Sequence, residues 1–414
     1  MRFDVKKLEW VDENAKNIFR VVPPYYLLSG NSNSDGVAKK KVIFFGSCFK
    51  NLPRDVNLSE YVKITNQCLD FVRRECAGCD LYYKPHPAET DESKSLNLNS
   101  FEIEKDKAIG EVFLYKNLDK IKYVFSSHST ISVPAFSFGL NSYVFAKLFK
   151  SSFGEFTKKS FEGFLKGMPE NYYIFDLNKK LEENKLLFAG EDFLSKQWAG
   201  ILANHKGTVW FVADDPSLVL SIFAFVKLIR SLAPGRKIGM VIGRHERWDL
   251  ININDLKANF DELVFLPIVR YTMRPSMLYT AIKTALTIKR FKIKLEDIIF
   301  GFGPEAFPIN CFASYFKKNL RIGLIPKTVF YLNHNFNPPL NNSDFSIKAT
   351  RLFFINFMEP FLGLYKTIGR LQRHGDRGGF GIGRYQSPLN EVFDIVYISK
   401  YIDETKTPVV DKVW

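Results

Sequence analysis

The chain has few of the residues that build disulfide frameworks or zinc sites. Its 414 residues include five cysteines and six histidines. Cys76 and Cys79 form a single C-x-x-C pair, and a structural zinc site needs a second pair of ligands that the sequence does not offer. We interpret all five cysteines as reduced thiols, which is typical of a reducing compartment.

Long apolar runs are also missing. No run reaches the roughly 18 consecutive apolar residues that a membrane-spanning helix requires. The first residues, Met-Arg-Phe-Asp followed by more charged side chains, do not have the pattern of a signal peptide. We therefore expect a cytoplasmic protein.

What the sequence does contain is ordinary globular composition with an uneven positive charge. Hydrophobic residues make up 46% and charged residues 25%, and the length predicts two domains. The formal net charge is +14, of which +3 falls in residues 1–205 and +11 in residues 206–414. The positive electrostatic field of such a charge excess favours an anionic partner. Because no helix-turn-helix, zinc finger or basic-aromatic pattern is present, we expect no nucleic-acid partner.

Apolar strand-like runs alternate with amphipathic helix-like segments in both halves of the chain. This alternation predicts an α/β protein with two Rossmann-like, doubly wound parallel-sheet domains, residues 1–205 and 206–414. In the second half we expect strands at Thr208–Ala213, Ile238–Ile242, Leu263–Ile268, Asp297–Phe300, Thr328–Leu332 and Val392–Ile398. We also expect an amphipathic helix over Arg351–Arg373 and a flexible basic loop over Arg373–Arg384.

One candidate site begins at a predicted strand end in the first half. The apolar run Leu81–Tyr83 changes abruptly to Lys84-Pro85-His86-Pro87. In α/β proteins ligands bind beyond the carboxyl ends of parallel strands. The two prolines fix the backbone and hold His86 in a defined orientation.

A second strand end offers hydroxyl groups instead. The run Tyr123–Phe125 is followed by Ser126, Ser127, Ser129 and Thr130, which are good helix-capping residues. Hydroxyls and free N–H groups at a helix N-terminus form a phosphate site. The sequence thus predicts a positioned histidine and an anion cradle on successive strand ends.

The two segments together resemble the bacterial sialyltransferase and Kdo-transferase families of the GT-B architecture. Those families carry a Lys-Pro-His-Pro motif and a downstream Ser-Ser/Thr motif, and they place a glutamate for the nucleotide ribose between them, here Glu111. The resemblance covers roughly residues 40–150. It implies a role for His86 in catalysis and a nucleotide site formed by Lys84, Pro87, Glu111, Ser126, Ser127, Ser129 and Thr130.

The resemblance implies an inverting, metal-independent glycosyltransferase without a cofactor. Its donor would be a CMP-activated acid sugar such as sialic acid or Kdo, and its acceptor a surface glycan or glycolipid. The families place the acceptor-binding domain first and the nucleotide-binding domain second. Here the nucleotide-type motifs lie in the first half, so either the domain order is permuted or the chain joins the second half of one transferase to the first half of another.

The catalytic base is expected from the second half, where no acidic motif of these families is found. Asp215 is our first candidate, because it follows a strand and neighbours a second carboxylate that can raise its pKa. His334, at a predicted strand end, is the second. Glu305 is the third, and Glu305, Arg244 and Arg377 are our candidates for acceptor binding.

Two other functions fit the same residues. One is transfer of glycerol phosphate or ribitol phosphate from a CDP-linked donor, and the other is a non-catalytic GT-B-like module that binds a nucleotide or an anionic glycan. Expected partners are the nucleotide-sugar donor, the anionic acceptor, the surface of the inner membrane, and a second copy or a partner transferase.

Overall fold

The structure is a computed structural model that describes most of the chain. It describes residues 17–21, 24–28, 40–49, 52, 55–86, 89, 94–129, 131–155, 157–158, 170–182, 184, 192–214, 219–243, 253–267, 269, 275–301, 307–325, 357–365, 367–374, 378–385, 392–399 and 411–412.

The strands and the helices longer than one turn are as follows. The strands are β1, Ile18–Val21; β2, Lys41–Phe45; β3, Asp80–Lys84; β4, Glu102–Ile103; β5, Ile121–Ser126; β6, Asn141–Val144; β7, Val209–Ala213; β8, Ile238–Ile242; β9, Glu262–Phe265; β10, Ile298–Gly301; β11, Leu320–Ile325; β12, Thr367–His374; β13, Gly378–Tyr385; β14, Ile395–Ser399; and β15, Asp411–Lys412. The helices are α1, Leu58–Glu75; α2, Gly110–Lys116; α3, Ser132–Ser137; α4, Asp192–Asn204; α5, Val219–Leu232; α6, Ile253–Asn259; α7, Pro275–Lys289; and α8, Phe307–Tyr315.

In the described residues, β2 to β6 form a sheet that we call the small sheet. Its strands run parallel in the order β4-β3-β2-β5-β6. Val42 to Phe45 are all buried, as expected for a parallel strand that is covered on both faces. On α1, the side chains of Tyr61, Ile64, Cys68 and Phe71 are buried, because their spacing puts them on one side of the helix.

The other described strands, apart from β12 and β13, form a larger sheet. Its order is β15-β1-β14-β11-β10-β7-β8-β9, and all its pairs are parallel except the pair of β1 with the short edge strand β15. From β9 to β14 the order is that of a Rossmann fold. The predicted α/β class, with two parallel sheets flanked by helices, is therefore confirmed.

Each sheet has a point where the strand order reverses. In the small sheet this point lies between β2 and β5, and in the large sheet it lies between β7 and β10. The crossover helices leave the two neighbouring strands in opposite directions there, which opens a crevice beyond the strand ends. Such crevices are where α/β proteins bind ligands.

One strand of the second half, β11, was not predicted from the sequence. The strand after α8 is β11, whereas the predicted strand Thr328–Leu332 lies outside the described residues. Arg321 interrupts the apolar pattern of β11, yet its side chain is 6% exposed and pairs with Asp394. Because that partner is 73 residues away, local sequence could not reveal that a buried arginine was acceptable here.

The prediction for the segment around residue 370 was also wrong. Residues 367–374 and 378–385, expected as the end of a helix and a flexible loop, pair as the antiparallel strands β12 and β13. Glycine pairs with glycine at Gly369 and Gly383. Glycine has low helix propensity, and paired backbone groups can form a hairpin without an apolar face.

Strand β1 joins the large sheet, although the predicted division placed residues 1–205 in the first domain. It pairs in parallel with β14, with Ile18 beside Val396 and Val21 beside Ser399. The two sheets therefore do not separate cleanly at residue 205, and the assignment of two domains with a boundary there stays a prediction.

A continuous apolar core joins the helices of the small sheet to the large sheet. Tyr115 of α2 packs against Phe223 of α5, with ring centroids 5.8 Å apart, and Tyr25 packs against Phe138 at 5.6 Å. The hydroxyl groups of Tyr25 and Ser221 are 2.7 Å apart. A second core, centred on Phe44, Tyr83 and the buried side of α1, fills the other face of the small sheet.

All five cysteines are free thiols, as predicted. Among the helices of the described residues, none has the length and apolar character needed to cross a membrane.

Candidate functional site at the carboxyl edge of the small sheet

Three strand ends of the small sheet meet at one edge. Phe45, the last residue of β2, lies beside Lys84 of β3 on one side and beside Ser126 of β5 on the other. The residues that follow these strands, Ser47, His86 and Ser127 among them, therefore emerge at the same edge. This edge includes the reversal point between β2 and β5, so the two predicted motifs are brought to the crevice where α/β folds bind ligands.

Hydroxyl groups and an imidazole form a hydrogen-bonded chain across this crevice. The Oγ atoms of Ser47 and Ser127 are 2.9 Å apart, and the hydroxyl of Tyr61 lies 2.8 Å from Ser127 Oγ. The same Tyr61 hydroxyl lies 2.9 Å from Nδ1 of His128. The chain therefore connects the end of β2 to the end of β5 through a residue of α1.

The environment of Tyr61 fixes the protonation state of its hydroxyl in this hydrogen-bonded chain. The Tyr61 side chain is 0% exposed, and burial raises its pKa far above the usual value, so the phenol stays protonated at physiological pH. Its single proton serves either Ser127 or His128, while the oxygen accepts from the other group. The tautomer of His128 is thus coupled to the direction of the Ser127 hydroxyl.

Aromatic rings surround the imidazole of His128. Its ring lies edge-on to those of Tyr61, Phe149 and Phe153, at centroid distances of 5.6, 6.4 and 6.2 Å. These contacts restrict the ring, while the residue keeps partial exposure at the sheet edge. Such a ring can bind or protonate an anion in a fixed orientation.

The His-Pro turn is held by Glu89. The Tyr83 hydroxyl donates to Glu89 Oε1 at 2.9 Å, and the backbone N–H of His86 donates to Glu89 Oε2, also at 2.9 Å. The turn approaches Gly46 so closely that a Cβ atom there would lie 2.3 Å from the Tyr83 hydroxyl oxygen and 2.6 Å from Glu89 Oε2. The glycine at the end of β2 therefore lets the turn pack against the neighbouring strand.

His86 itself is exposed at this edge. Desolvation by the surrounding protein lowers its pKa, although solvent at the exposed residue screens part of this effect. Because a free histidine titrates near 6.5, the neutral ring predominates at neutral pH. His86 is then a hydrogen-bonding group rather than a fixed cation.

The other serines of the motif have different surroundings. Ser126 is 0% exposed, and its Oγ has no hydrogen-bond partner in the described part of the chain. Ser129 lies before α3, where its backbone carbonyl accepts from Ser132 Oγ at 2.6 Å and its own Oγ accepts from the Ile131 N–H at 3.4 Å. The N-cap residue of α3 is Ile131, without a side-chain capping bond, so the prediction that Ser129 caps this helix is wrong.

Lys84 and Glu111 lie beside the crevice. Lys84 is 4% exposed, and its ammonium group donates to the backbone carbonyl of Asp106 and lies 5.5 Å from the Phe113 ring centroid. Desolvation lowers its pKa. In this structure Lys84 joins β3 to the loop that precedes α2, and Glu111 lies in the first turn of α2.

The remaining predicted site residues lie outside the described part of the chain. They are Pro87, Thr130, Asp215, Arg244, Glu305, His334 and Arg377. Asp214, the neighbour of Asp215, is described, and it follows β7 at the reversal point of the large sheet. A Cβ atom on Gly243, after β8, would lie 2.4 Å from Asp214 Oδ1, so this carboxylate lies directly beside the end of β8.

Four polar residues of the small-sheet crevice were not among the predicted site residues: Ser47, Tyr61, Glu89 and His128. His128 directly follows the Ser-Ser pair at a strand end, which is the signal that could have identified it. Tyr61 gave no such signal, since its position on α1 matches the helix period of core residues.

Comparison with known proteins adds no assignment to this geometry. Neither a protein-family model nor a curated protein matches the chain. In the described residues, no group of three or more histidine, cysteine or acidic side chains is arranged to hold a metal ion.

Proposed function

We propose that this protein is a glycosyltransferase that moves an acid sugar from a CMP-linked donor to a surface glycan or glycolipid. One observation carries the proposal. The Lys84-Pro85-His86 and Ser126-Ser127 segments, which resemble those of sialyltransferases and Kdo-transferases, lie at the carboxyl ends of β3 and β5, on either side of β2 in a parallel sheet. There a chain of hydroxyls and an imidazole offers several hydrogen bonds to one anionic group.

In the proposed reaction an acceptor hydroxyl attacks the anomeric carbon of the sugar. The bond between that carbon and the phosphate oxygen breaks, and CMP leaves with the electron pair. The acceptor proton passes to a base, for which Asp215, His334 and Glu305 remain our candidates in that order. The group that the protein must stabilise is the phosphate, because it gains negative charge as the bond breaks.

The residues of the small-sheet edge are suited to that charge. When Nδ1 of His128 accepts from Tyr61, Ser127 donates to the Tyr61 oxygen, while His128 can donate from Nε2 and Ser47 can turn its hydroxyl proton toward a phosphate oxygen. His86 contributes a hydrogen bond from its neutral ring. Glu111, by resemblance, holds the ribose.

A metal-free thermal titration with CMP, CDP, UDP, GDP and ADP tests the proposed donor class. A ligand that binds only the folded state stabilises it by about 2.7 kcal/mol at one hundred times its dissociation constant. We expect stabilisation by CMP. Stabilisation by CDP alone would favour polyol-phosphate transfer, and no response to any nucleotide would contradict the proposal.

A pair of variants links such a response to the site. His128→Ala should weaken CMP binding about tenfold or more, the effect of losing one hydrogen bond to a charged group. His205→Ala is the matched control, since His205 lies between α4 and β7, where its backbone carbonyl accepts from Arg236 of the turn before β8. Equal affinities of the two variants would remove His128 from the nucleotide site.

A further inference from the structure

A groove along the outer side of α7 is separate from the candidate site. It has a volume of about 820 Å³. Trp210, the second residue of β7, and Glu262, the first residue of β9, line it on the side of the sheet, while Lys283 and Leu286 line it on the side of α7. The groove therefore lies toward the amino ends of the strands, at the edge of the large sheet opposite its reversal-point crevice.

Two large apolar side chains of α7 are exposed at this groove. Tyr279 is 66% exposed and Leu286 is 45% exposed. They are seven residues apart, which is close to two helical turns, so they lie on the same side of the helix. Ala281, Ala285 and Ile288 are buried, and they anchor α7 to the body of the protein. The exposed pair is thus held on a fixed element.

The same surface carries a net positive charge. Residues 263–295 contain seven lysines and arginines and no aspartate or glutamate. Of these, Lys283, Arg290 and Lys292 line the groove and are exposed. Among the described residues, no ion pair includes any of the three. Glu262 is the acidic residue of the groove lining.

We propose that this groove, with Tyr279 and Leu286 at its rim, docks on an anionic phospholipid bilayer. Tyrosine favours the interface between acyl chains and headgroups, and leucine favours the acyl chains. Lys283, Arg290 and Lys292 lie beside that pair and face the lipid phosphates, where each cation adds to the attraction of a negatively charged surface. The helix lies on the membrane and does not cross it.

The combination of groups favours a bilayer over another polyanion. A nucleic acid would use the cations and could stack on Tyr279, but it offers no apolar environment to Leu286. A bilayer uses both kinds of side chain at once, and stable surface binding needs both contributions. This docking does not rest on the proposed transferase activity.

Sedimentation with vesicles tests the docking with the full chain. One set of vesicles contains phosphatidylcholine alone, and in the other a third of the lipid is phosphatidylglycerol. We expect binding to the anionic set, at least about tenfold weaker binding to the neutral set, and a decrease with salt.

Two variants separate the contributions. The charge variant is Lys283→Gln with Arg290→Gln and Lys292→Gln, and the apolar variant is Tyr279→Ser with Leu286→Ser. Each should lower the vesicle affinity about tenfold or more. The controls remove the same number of cations and of large apolar side chains from exposed positions elsewhere: Lys105→Gln with Lys107→Gln and Lys120→Gln, and Leu58→Ser with Ile103→Ser.

Loss of binding in both groove variants, with both controls unchanged and all melting temperatures alike, would support the docking. If either double or triple variant melts early, the single changes Lys283→Gln and Leu286→Ser take its place, with a proportionally smaller effect expected. Absence of vesicle binding would overturn the proposal. Vesicle binding that both groove variants retain would also overturn it. A third contradicting result is vesicle binding that only the charge variant loses and that competing DNA abolishes.

Discussion

Ser126 has a fully buried hydroxyl group with no hydrogen-bond partner among the described residues. A buried hydroxyl without a partner costs about 1–3 kcal/mol in proteins. We therefore predict that Ser126→Ala raises the free energy of unfolding by about 1 kcal/mol and, if Ser126 contacts the nucleotide, lowers CMP affinity. Urea denaturation and nucleotide titration measure the two effects separately.

Ser142 gives the matched control for this prediction. It is also buried, but its Oγ donates to the backbone carbonyl of Ser132 at 2.8 Å. Ser142→Ala should therefore destabilise the fold by about 1 kcal/mol. If Ser126→Ala destabilises as much as Ser142→Ala, the Ser126 hydroxyl has a partner in the folded protein, and our account of it is wrong.

The hydroxyl of Tyr61 organises the candidate site without facing solvent. Tyr61→Phe keeps the ring packing and removes the group between Ser127 and His128. We predict a loss of about 1–2 kcal/mol in stability and a lower CMP affinity, because the imidazole loses the contact that sets its tautomer.

Tyr397→Phe separates this effect from general destabilisation. Tyr397 is fully buried in the large sheet, and its hydroxyl donates to Gln197 Oε1 at 2.7 Å. Loss of this hydroxyl should lower the free energy of unfolding by a similar amount and leave the CMP affinity unchanged. A Tyr61→Phe variant that behaves in the same way would limit Tyr61 to a structural role.

At the scale of elements, the ion pair of Arg321 and Asp394 connects β11 to the turn before β14. The Arg321 guanidinium donates two hydrogen bonds to the Asp394 carboxylate, at 3.0 and 3.2 Å. The backbone N–H of Arg321 donates to Asp394 Oδ2 at 2.8 Å. Arg321 is nearly buried, so breaking the pair leaves an uncompensated charge. Because Asp394 is 40% exposed, we predict a loss close to that of one hydrogen bond to a charged group: Asp394→Asn should lower the free energy of unfolding by about 2 kcal/mol, measured by urea denaturation.

Arg230 and Asp261 form the comparison pair, at 2.7 Å, with side chains that are 33% and 44% exposed. Exposed pairs contribute at most about 1 kcal/mol. Arg230→Gln should therefore cost clearly less than Asp394→Asn. A larger loss of stability for Arg230→Gln than for Asp394→Asn would show that water, which reaches the partly exposed Asp394 site, solvates the guanidinium of Arg321.

The same pair shows which elements could be predicted from the sequence. Strands such as β7 and β8 are continuous apolar runs, and they were predicted within one residue of their bounds. Strand β11 was missed because Arg321 is compensated by a distant residue. At the site, the strand ends could be identified because polar residues follow the apolar runs abruptly. The role of Tyr61 could not be identified, because it depends on which face of α1 packs against the crevice.

At the scale of the molecule, the apolar core passes from the helices of the small sheet into the large sheet. Tyr115 contacts Phe223 across this boundary, and Tyr25 contacts both Phe138 and Ser221. Strand β1 adds a covalent link, because it belongs to the large sheet and leads into the small one. Neither sheet can unfold without exposing part of this shared core to water.

We therefore predict that the two sheets unfold in one cooperative transition. Calorimetry should give a single peak, and native-state hydrogen exchange should give amides of β2 and β7 similar opening free energies. CMP binding at the small-sheet edge should then raise the protection of β7 and β10 by the same amount as that of β2 and β5.

Phe223→Ala, which removes a ring at the shared boundary, should uncouple these responses and lower the free energy of unfolding by about 3–5 kcal/mol. Two separate transitions in the unaltered protein, or protection by CMP confined to the small sheet, would mean that the shared core is too weak to couple the nucleotide site to the large sheet.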